Sequence, residues 1–249
     1  MKKIITVLML ASIVFSCSVS DKEEIKTWYD AEKTKPKEDY FISKKDTGKE
    51  GMYKSYYENG KPEYEKTFVK NKLEGKAKLY YENGKLKEEA DFKNDKPDGS
   101  RKLYGENGML QVEENYLNGE YEGMYKSYSD TTGKIKEEGQ YVKGAMKGLW
   151  KFYYDTGELK EEVTMEENKA NGAYKSYHKS GKIKAVGNYK FDKEEGEWKF
   201  YFESGQLQEE AVFHDGWEQG LIRDYDEQGK LVKEITYEKG IPKKYKEFK

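Results

Sequence analysis

Few side chains in this sequence have the type and spacing for covalent chemistry. The two histidines, His178 and His214, stand 36 residues apart, and the only cysteine is Cys17. No disulfide can close within the chain, and no cysteine-based metal site is possible. Adjacent carboxylates such as Glu88-Glu89 and Glu161-Glu162 alternate faces on a strand, so they do not form an acid-base dyad. Glycines recur singly, without the Lys-Ser/Thr that a phosphate-cradling loop needs. Asp91 to Gly99 carries acids but not calcium-loop spacing. We expect no catalysis, no cofactor and no metal site. Basic and acidic residues number 46 and 48 and are interleaved, which argues against a nucleic-acid groove. Arg101 and Arg223 are the only arginines, so bidentate recognition has little material.

Tyrosine recurs instead. Tyr56, Tyr80, Tyr104, Tyr128, Tyr153, Tyr177, Tyr201 and Tyr225 step along the chain every 24 residues, with one step of 25. Two glycine series keep the same period: Gly51, Gly75, Gly99, Gly123, Gly148, Gly172, Gly196 and Gly220, and Gly60, Gly84, Gly108, Gly133, Gly157, Gly181, Gly205 and Gly229. The longer step falls at Asp130-Thr131-Thr132-Gly133. A period in this range marks a repeat architecture, in which one unit buries its apolar side against the next. Charged residues make up 38% and aromatic residues 15%, too polar for a thick core and too aromatic for disorder. A thin structure with one aromatic and one charged face satisfies both.

Each unit reads as strand, tight turn, strand, longer turn. Asn59-Gly60, Asn83-Gly84 and Asn107-Gly108 are two-residue hairpin signals of the type that needs positive φ twice. With Asn59-Gly60 as the loop, Lys54 faces Glu65. The same register pairs Lys78 with Glu89, Lys102 with Glu113, Lys126 with Glu138, Lys151 with Glu162, Lys199 with Glu210 and Arg223 with Glu234. Lys175 alone faces Val186. On the other face, Trp150 is expected opposite Val163, Trp198 opposite Ala211, Tyr125 opposite Gly139 and Tyr174 opposite Gly187. Leu86, Leu110 and Leu159 are placed on that apolar face by plain alternation. The tyrosine series falls on the Lys/Glu face. Its rings either lie over the strands against lysine stems or form a stripe that binds a partner, since tyrosine offers contact area at low entropic cost.

The fold expected is all-β: an elongated open antiparallel sheet of about eight stacked hairpins in meander order, over residues 40–249 with a capping strand at 40–50. Residues 17–39 are polar and read as a flexible tether, with Trp28 and Tyr29 able to dock on the first repeat. Met1-Lys2-Lys3 and the apolar run Ile4 to Phe15 have the layout of an export signal, residues 1–16. Val14-Phe15-Ser16-Cys17 resembles a bacterial lipobox, which implies cleavage before Cys17, lipid attachment there, and a membrane anchor in the cell envelope.

The unit Gly148-Leu149-Trp150-Lys151-Phe152-Tyr153-Tyr154-Asp155-Thr156-Gly157-Glu158-Leu159-Lys160-Glu161-Glu162 resembles the MORN repeat, in its bacterial variant. The resemblance covers about residues 51–245. It implies stacked hairpins and a non-catalytic interaction scaffold, with a protein partner or host surface as its target. Some members of that family carry an antitoxin label, which implies toxin binding as an alternative; a structural envelope spacer is a third.

Overall fold

The computed structural model describes residues 20–249; the expected export signal and Cys17 lie outside them. The described residues form one sheet of 22 antiparallel strands without a helix. Three strands, Lys72–Leu73, Glu120–Tyr121 and Trp217–Glu218, are two-residue pieces one residue short of the strand that follows. The sheet therefore has nineteen rungs, each paired with its neighbours in the chain, and at strand spacing spans about 86 Å. This is the expected open meander, with a repeat of 24 residues.

The stretch expected to be a tether is partly sheet. Lys22–Trp28 pairs with Pro36–Ser43, and Pro36–Ser43 pairs with Lys49–Tyr56, so a degenerate hairpin precedes the first full repeat. Its polarity misled the reading, because these strands bury little. Lys26 faces Asp39 and Asp39 faces Lys54, which are strand contacts that look like linker composition. Tyr29 docks as expected: its hydroxyl donates to the Tyr56 carbonyl at 2.8 Å, as Tyr57 does to Tyr80 at 2.6 Å.

The two kinds of turn are exchanged relative to expectation. Lys70-Asn71, Asn94-Asp95, Asn118-Gly119 and Lys143-Gly144 have positive φ at both positions and are the tight two-residue turns. Around Gly60 only the glycine is left-handed, at φ 81°. Tyr57 N–H donates to the Lys61 carbonyl and Gly60 N–H to the Tyr57 carbonyl, which closes a three-residue loop. The asparagine serves by side chain: Asn59 Oδ1 accepts from Lys61 N–H, and Asn59 Nδ2 donates to the Glu82 carbonyl of the next unit. The loop has one more residue than expected, and a bulge after Pro62 absorbs it, so Lys54 still faces Glu65. The bulge also sets Leu86, Leu110 and Leu159 opposite Tyr80, Tyr104 and Tyr153, on the tyrosine side.

The tight turns are latched to one another. Lys70, Asn94, Asn118 and Lys143 donate their N–H groups to the carboxylates of Glu50, Glu74, Asp98 and Glu122, each about twenty residues upstream. Those acids immediately precede the bulge glycines Gly51, Gly75, Gly99 and Gly123, all left-handed. Both edges of the sheet are thus columns of hydrogen-bonded turns.

The buried side is one residue thick. Tyr53, Ala90, Trp150, Val163, Ala185, Trp198, Ala211 and Ile222 are its buried apolar residues. Trp150 and Trp198 are 1% and 3% exposed. Each indole meets Tyr141 or Tyr189 edge-on at a centroid distance of 5.2 Å. Large residues do face small ones, in the expected register. The ring-over-glycine contact nonetheless crosses to the neighbouring hairpin: a Cβ on Gly139 would stand 2.2 Å from Trp150, and one on Gly187 2.1 Å from Trp198. Neither glycine has a left-handed φ, so space alone demands glycine there. Overfilling a packed site costs about 1–3 kcal/mol. Gly139→Ala and Gly187→Ala should each lose about that much in urea titration, and a change below about 0.5 kcal/mol, the range of ordinary surface substitutions, would refute the packing.

Candidate functional site

The charged face is organised around one row. Lys54–Glu65 (3.4 Å), Lys78–Glu89 (3.6 Å), Lys102–Glu113 (2.9 Å), Lys126–Glu138 (3.3 Å), Lys151–Glu162 (3.7 Å), Lys199–Glu210 (3.4 Å) and Arg223–Glu234 (3.2 Å) all pair as the register predicts. The row does not stop at hairpin boundaries. Glu65 also faces Lys78, Glu113 faces Lys126, Glu138 faces Lys151, Glu162 faces Lys175 and Glu210 faces Arg223. Lys26–Asp39 begins it and Glu234–Lys246 ends it, so sign alternates across the sheet, interrupted only where Val186 takes an acid's place. These side chains are a fifth to two-fifths exposed. Each pair is therefore worth about 0.2–1 kcal/mol and acts chiefly on register.

The tyrosine series belongs to this row. Tyr80 donates to Glu65 (2.9 Å), Tyr128 to Glu113 (2.6 Å), Tyr153 to Glu138 (2.6 Å), Tyr177 to Glu162 (2.9 Å) and Tyr225 to Glu210 (3.1 Å). Each of these glutamates holds a lysine of its own hairpin and a tyrosine of the next. Lys76 takes Glu89 at 3.2 Å, and Tyr104 makes no such bond. Tyr56 has Asp39 at the corresponding place without a bond to it, and Tyr201 has Val186; neither hydroxyl has a side-chain partner among the described residues. The stripe is thus mainly a set of clamps between hairpins. Lysine ammonium groups stand over rings elsewhere, Lys66 over Tyr64 and Lys87 over Tyr81.

The clamps show in the acid-base equilibria. Burial, then the bond to Glu65, pushes the Tyr80 hydroxyl up to about 12. Burial and the carboxylate acceptor likewise raise Tyr128 and Tyr153. The bond from Tyr128, then that from Lys102, holds Glu113 below the usual carboxylate value of 4.5, and Tyr153 does the same for Glu138.

Beside the row runs a column that follows the bulge glycines. Met52, Met124 and Leu149 are 54%, 51% and 53% exposed, and Leu221 is also exposed. Open troughs lie between column and row; one is lined by Met124, Gln140, Leu149 and Lys151. Sequence reasoning did not single out this column, although apolar residues at positions 52, 124, 149 and 221 of a polar series were its signal.

One cluster on the opposite face was also missed. Arg101 stands where other units have Tyr53 or Trp150. It donates to Glu114 at 2.7 Å and to Glu88 at 2.8 Å, and Tyr116 donates to Glu114 at 2.9 Å. Glu114 is 4% exposed. Two charges replacing apolar residues at facing positions were the signal in the sequence. His178 fills a turn-side aromatic place, its Nε2 2.9 Å from the Tyr201 carbonyl, as Tyr154 stands 2.8 Å from that of Tyr177. Among the described residues no group of three or more His, Cys, Asp or Glu could hold a metal ion.

Two measurements test this face. Tyr153→Phe should cost about 0.5–1.5 kcal/mol in urea titration, whereas Tyr201→Phe, with no acceptor, should cost nothing measurable; equal effects would sever the clamps from stability. Stability from Glu113 and Glu138 is present above the ordinary carboxylate value and should fall as pH drops through their lowered values. That from Tyr80, Tyr128 and Tyr153 is present below pH 10 and should be lost as pH rises through their elevated values. Melting temperature against pH should show both shoulders, and Tyr128→Phe with Tyr153→Phe should flatten each.

Comparison with known proteins places the chain by its repeats. No curated protein matches it. Among solved structures it is similar to a chain of "Crystal Structure of TcdB2-TccC3-Cdc42", at 12% identity over 86% of this chain and 13% of that one, with a TM-score of 0.22. It is likewise similar to chains of "Crystal Structure of TcdB2-TccC3" (10% identity, 86% and 14% covered, TM-score 0.23) and "Crystal Structure of TcdB2-TccC3-TEV" (13%, 88% and 14%, 0.23). This chain therefore spans about a seventh of theirs, and overlaps this loose carry no inference about it. The family model described as MORN repeat variant matches residues 49–70, 73–94, 97–118, 146–167, 170–191, 194–215 and 218–239. Each match covers one hairpin, and the unit passed over is the one lengthened at Asp130–Gly133. With seven matches over more than half its length, this chain belongs to the MORN repeat variant family.

Proposed function

We propose that this protein is a non-catalytic interaction scaffold, held on the cell envelope by lipid at Cys17, whose ladder face binds a protein partner or a host surface. The observation that carries the reading is the exposed column Met52, Met124, Leu149 and Leu221 beside a row of alternating charge. Apolar contacts supply the affinity of protein recognition and patterned charge its orientation. The concavities of the ladder face are open troughs suited to an extended partner. Anchoring is supported by the apolar run Ile4 to Phe15 and the lipobox-like Val14-Phe15-Ser16-Cys17. Two acyl chains suffice for a stable hold on a bilayer.

Two arms test the two halves. In intact cells, added protease should cut the native repeats, and Cys17→Ser should release the protein from the membrane fraction. Protection of the repeats until the envelope is opened would move the partner inside it. A photo-crosslinking residue at Leu149 or Met124 should give one discrete protein adduct, and one at Phe152 on the opposite face none. Equal adducts from both faces would overturn the assignment of the ladder face.

A further inference from the structure

The repeat supplies its own template for a binding site. In five units a lysine, a glutamate of the same hairpin and a tyrosine of the next meet: Lys54–Glu65–Tyr80, Lys102–Glu113–Tyr128, Lys126–Glu138–Tyr153, Lys151–Glu162–Tyr177 and Lys199–Glu210–Tyr225. The carboxylate lies 2.9–3.7 Å from the ammonium nitrogen and 2.6–3.1 Å from the phenol oxygen. One unit keeps both donors and lacks the acid. Lys175 faces Val186, and Val186 faces Lys199 on the strand that also carries Tyr201.

Neither donor is satisfied elsewhere. Among the described residues Lys175 has no carboxylate within ion-pair distance, although Glu162 faces it from the preceding hairpin. The two Glu162 oxygens are held by Lys151 at 3.7 Å and Tyr177 at 2.9 Å. Lys199 is engaged by Glu210, so it adds positive potential without competing for the place. Lys175 is exposed, and Val186 and Tyr201 are half-buried. Valine ends at Cγ, one atom short of a glutamate's carboxyl carbon and two short of its oxygens, and it is only half-buried.

We infer that the place above Val186 is a recognition site for the side-chain carboxylate of an acidic protein segment, received by the Lys175 ammonium and the Tyr201 hydroxyl. The bound carboxylate completes the row as Glu65, Glu113, Glu138, Glu162 and Glu210 do in their own units. The inference rests on the ladder face being a recognition surface, and it names the chemistry that one point of that surface accepts.

The test is a titration of the full chain with an acetylated hexapeptide alternating Glu and Ser, followed by two-dimensional NMR. The expected result is a set of shifts centred on Lys175, Val186 and Tyr201, absent with the Gln-Ser analogue. Val186→Glu, which supplies the carboxylate from within, should weaken peptide binding at least about tenfold, equivalent to about 1.4 kcal/mol, and raise the melting temperature. Lys175→Gln and Tyr201→Phe should each weaken binding, and Lys72→Gln, outside the row, should not. Shifts spread evenly along the row, or binding unchanged by Val186→Glu and Lys175→Gln, overturn the site. An equal response to inorganic phosphate overturns its assignment to a side-chain carboxylate. Peptide binding that survives while Leu149 gives no adduct in cells would fail the scaffold reading alone; the reverse would fail only this site.

Discussion

A single-layer sheet has no second layer to cover it, and the rest of this structure answers that constraint. Each face must be shielded by the side chains that stand on it. On one face the indoles of Trp150 and Trp198 lie down over glycines of the neighbouring hairpin. On the other, lysine and glutamate stems lie side by side and neutralise one another. Both solutions work only if neighbouring hairpins keep a fixed register, because a slip of one residue would turn every ring into solvent. The latched tight turns and the tyrosine clamps fix that register from both edges and from within.

One departure from the repeat pattern comes as a pair. Arg101 and Glu114 enter the aromatic face together, so that each buried charge has a partner. Removing Arg101 would leave the buried Glu114 with Tyr116 alone, whereas removing Glu114 would leave Arg101 its bond to Glu88. Val186 is different: it departs alone and leaves the two donors around it unpaired. A lone departure in a repeat whose other units agree is informative, because the template shows what the missing group did.

The architecture was legible from period and alternation, and the ladder from the Lys–Glu spacing alone. The register survived a misread turn. Asn59-Gly60 has the composition of a two-residue loop, but the asparagine acts through its side chain, and a bulge restores the count by Lys54–Glu65. Contacts within one hairpin follow from its turn. Contacts between hairpins depend on the second turn, and Lys70-Asn71 carries little compositional signal. For that reason Trp150 over Gly139 and Tyr153 on Glu138 were not foreseen, although every residue involved had been noticed. The hairpin Lys22–Ser43 was hidden for a related cause: a strand in a one-layer sheet needs few apolar residues, so it reads as linker.

The order of the rungs is the order of the chain, so the first described strand, Lys22–Trp28, and the last, Ile241–Glu247, stand at opposite ends of the sheet. A pull between those ends loads the inter-strand hydrogen bonds along their own direction and opens them in sequence, as a zipper parts, instead of shearing many at once. Each 24-residue unit released would pay out up to about 80 Å of slack. Under tension this protein is a reel: stiff while its rungs hold, then yielding in steps of one repeat, each able to wind back when the load falls.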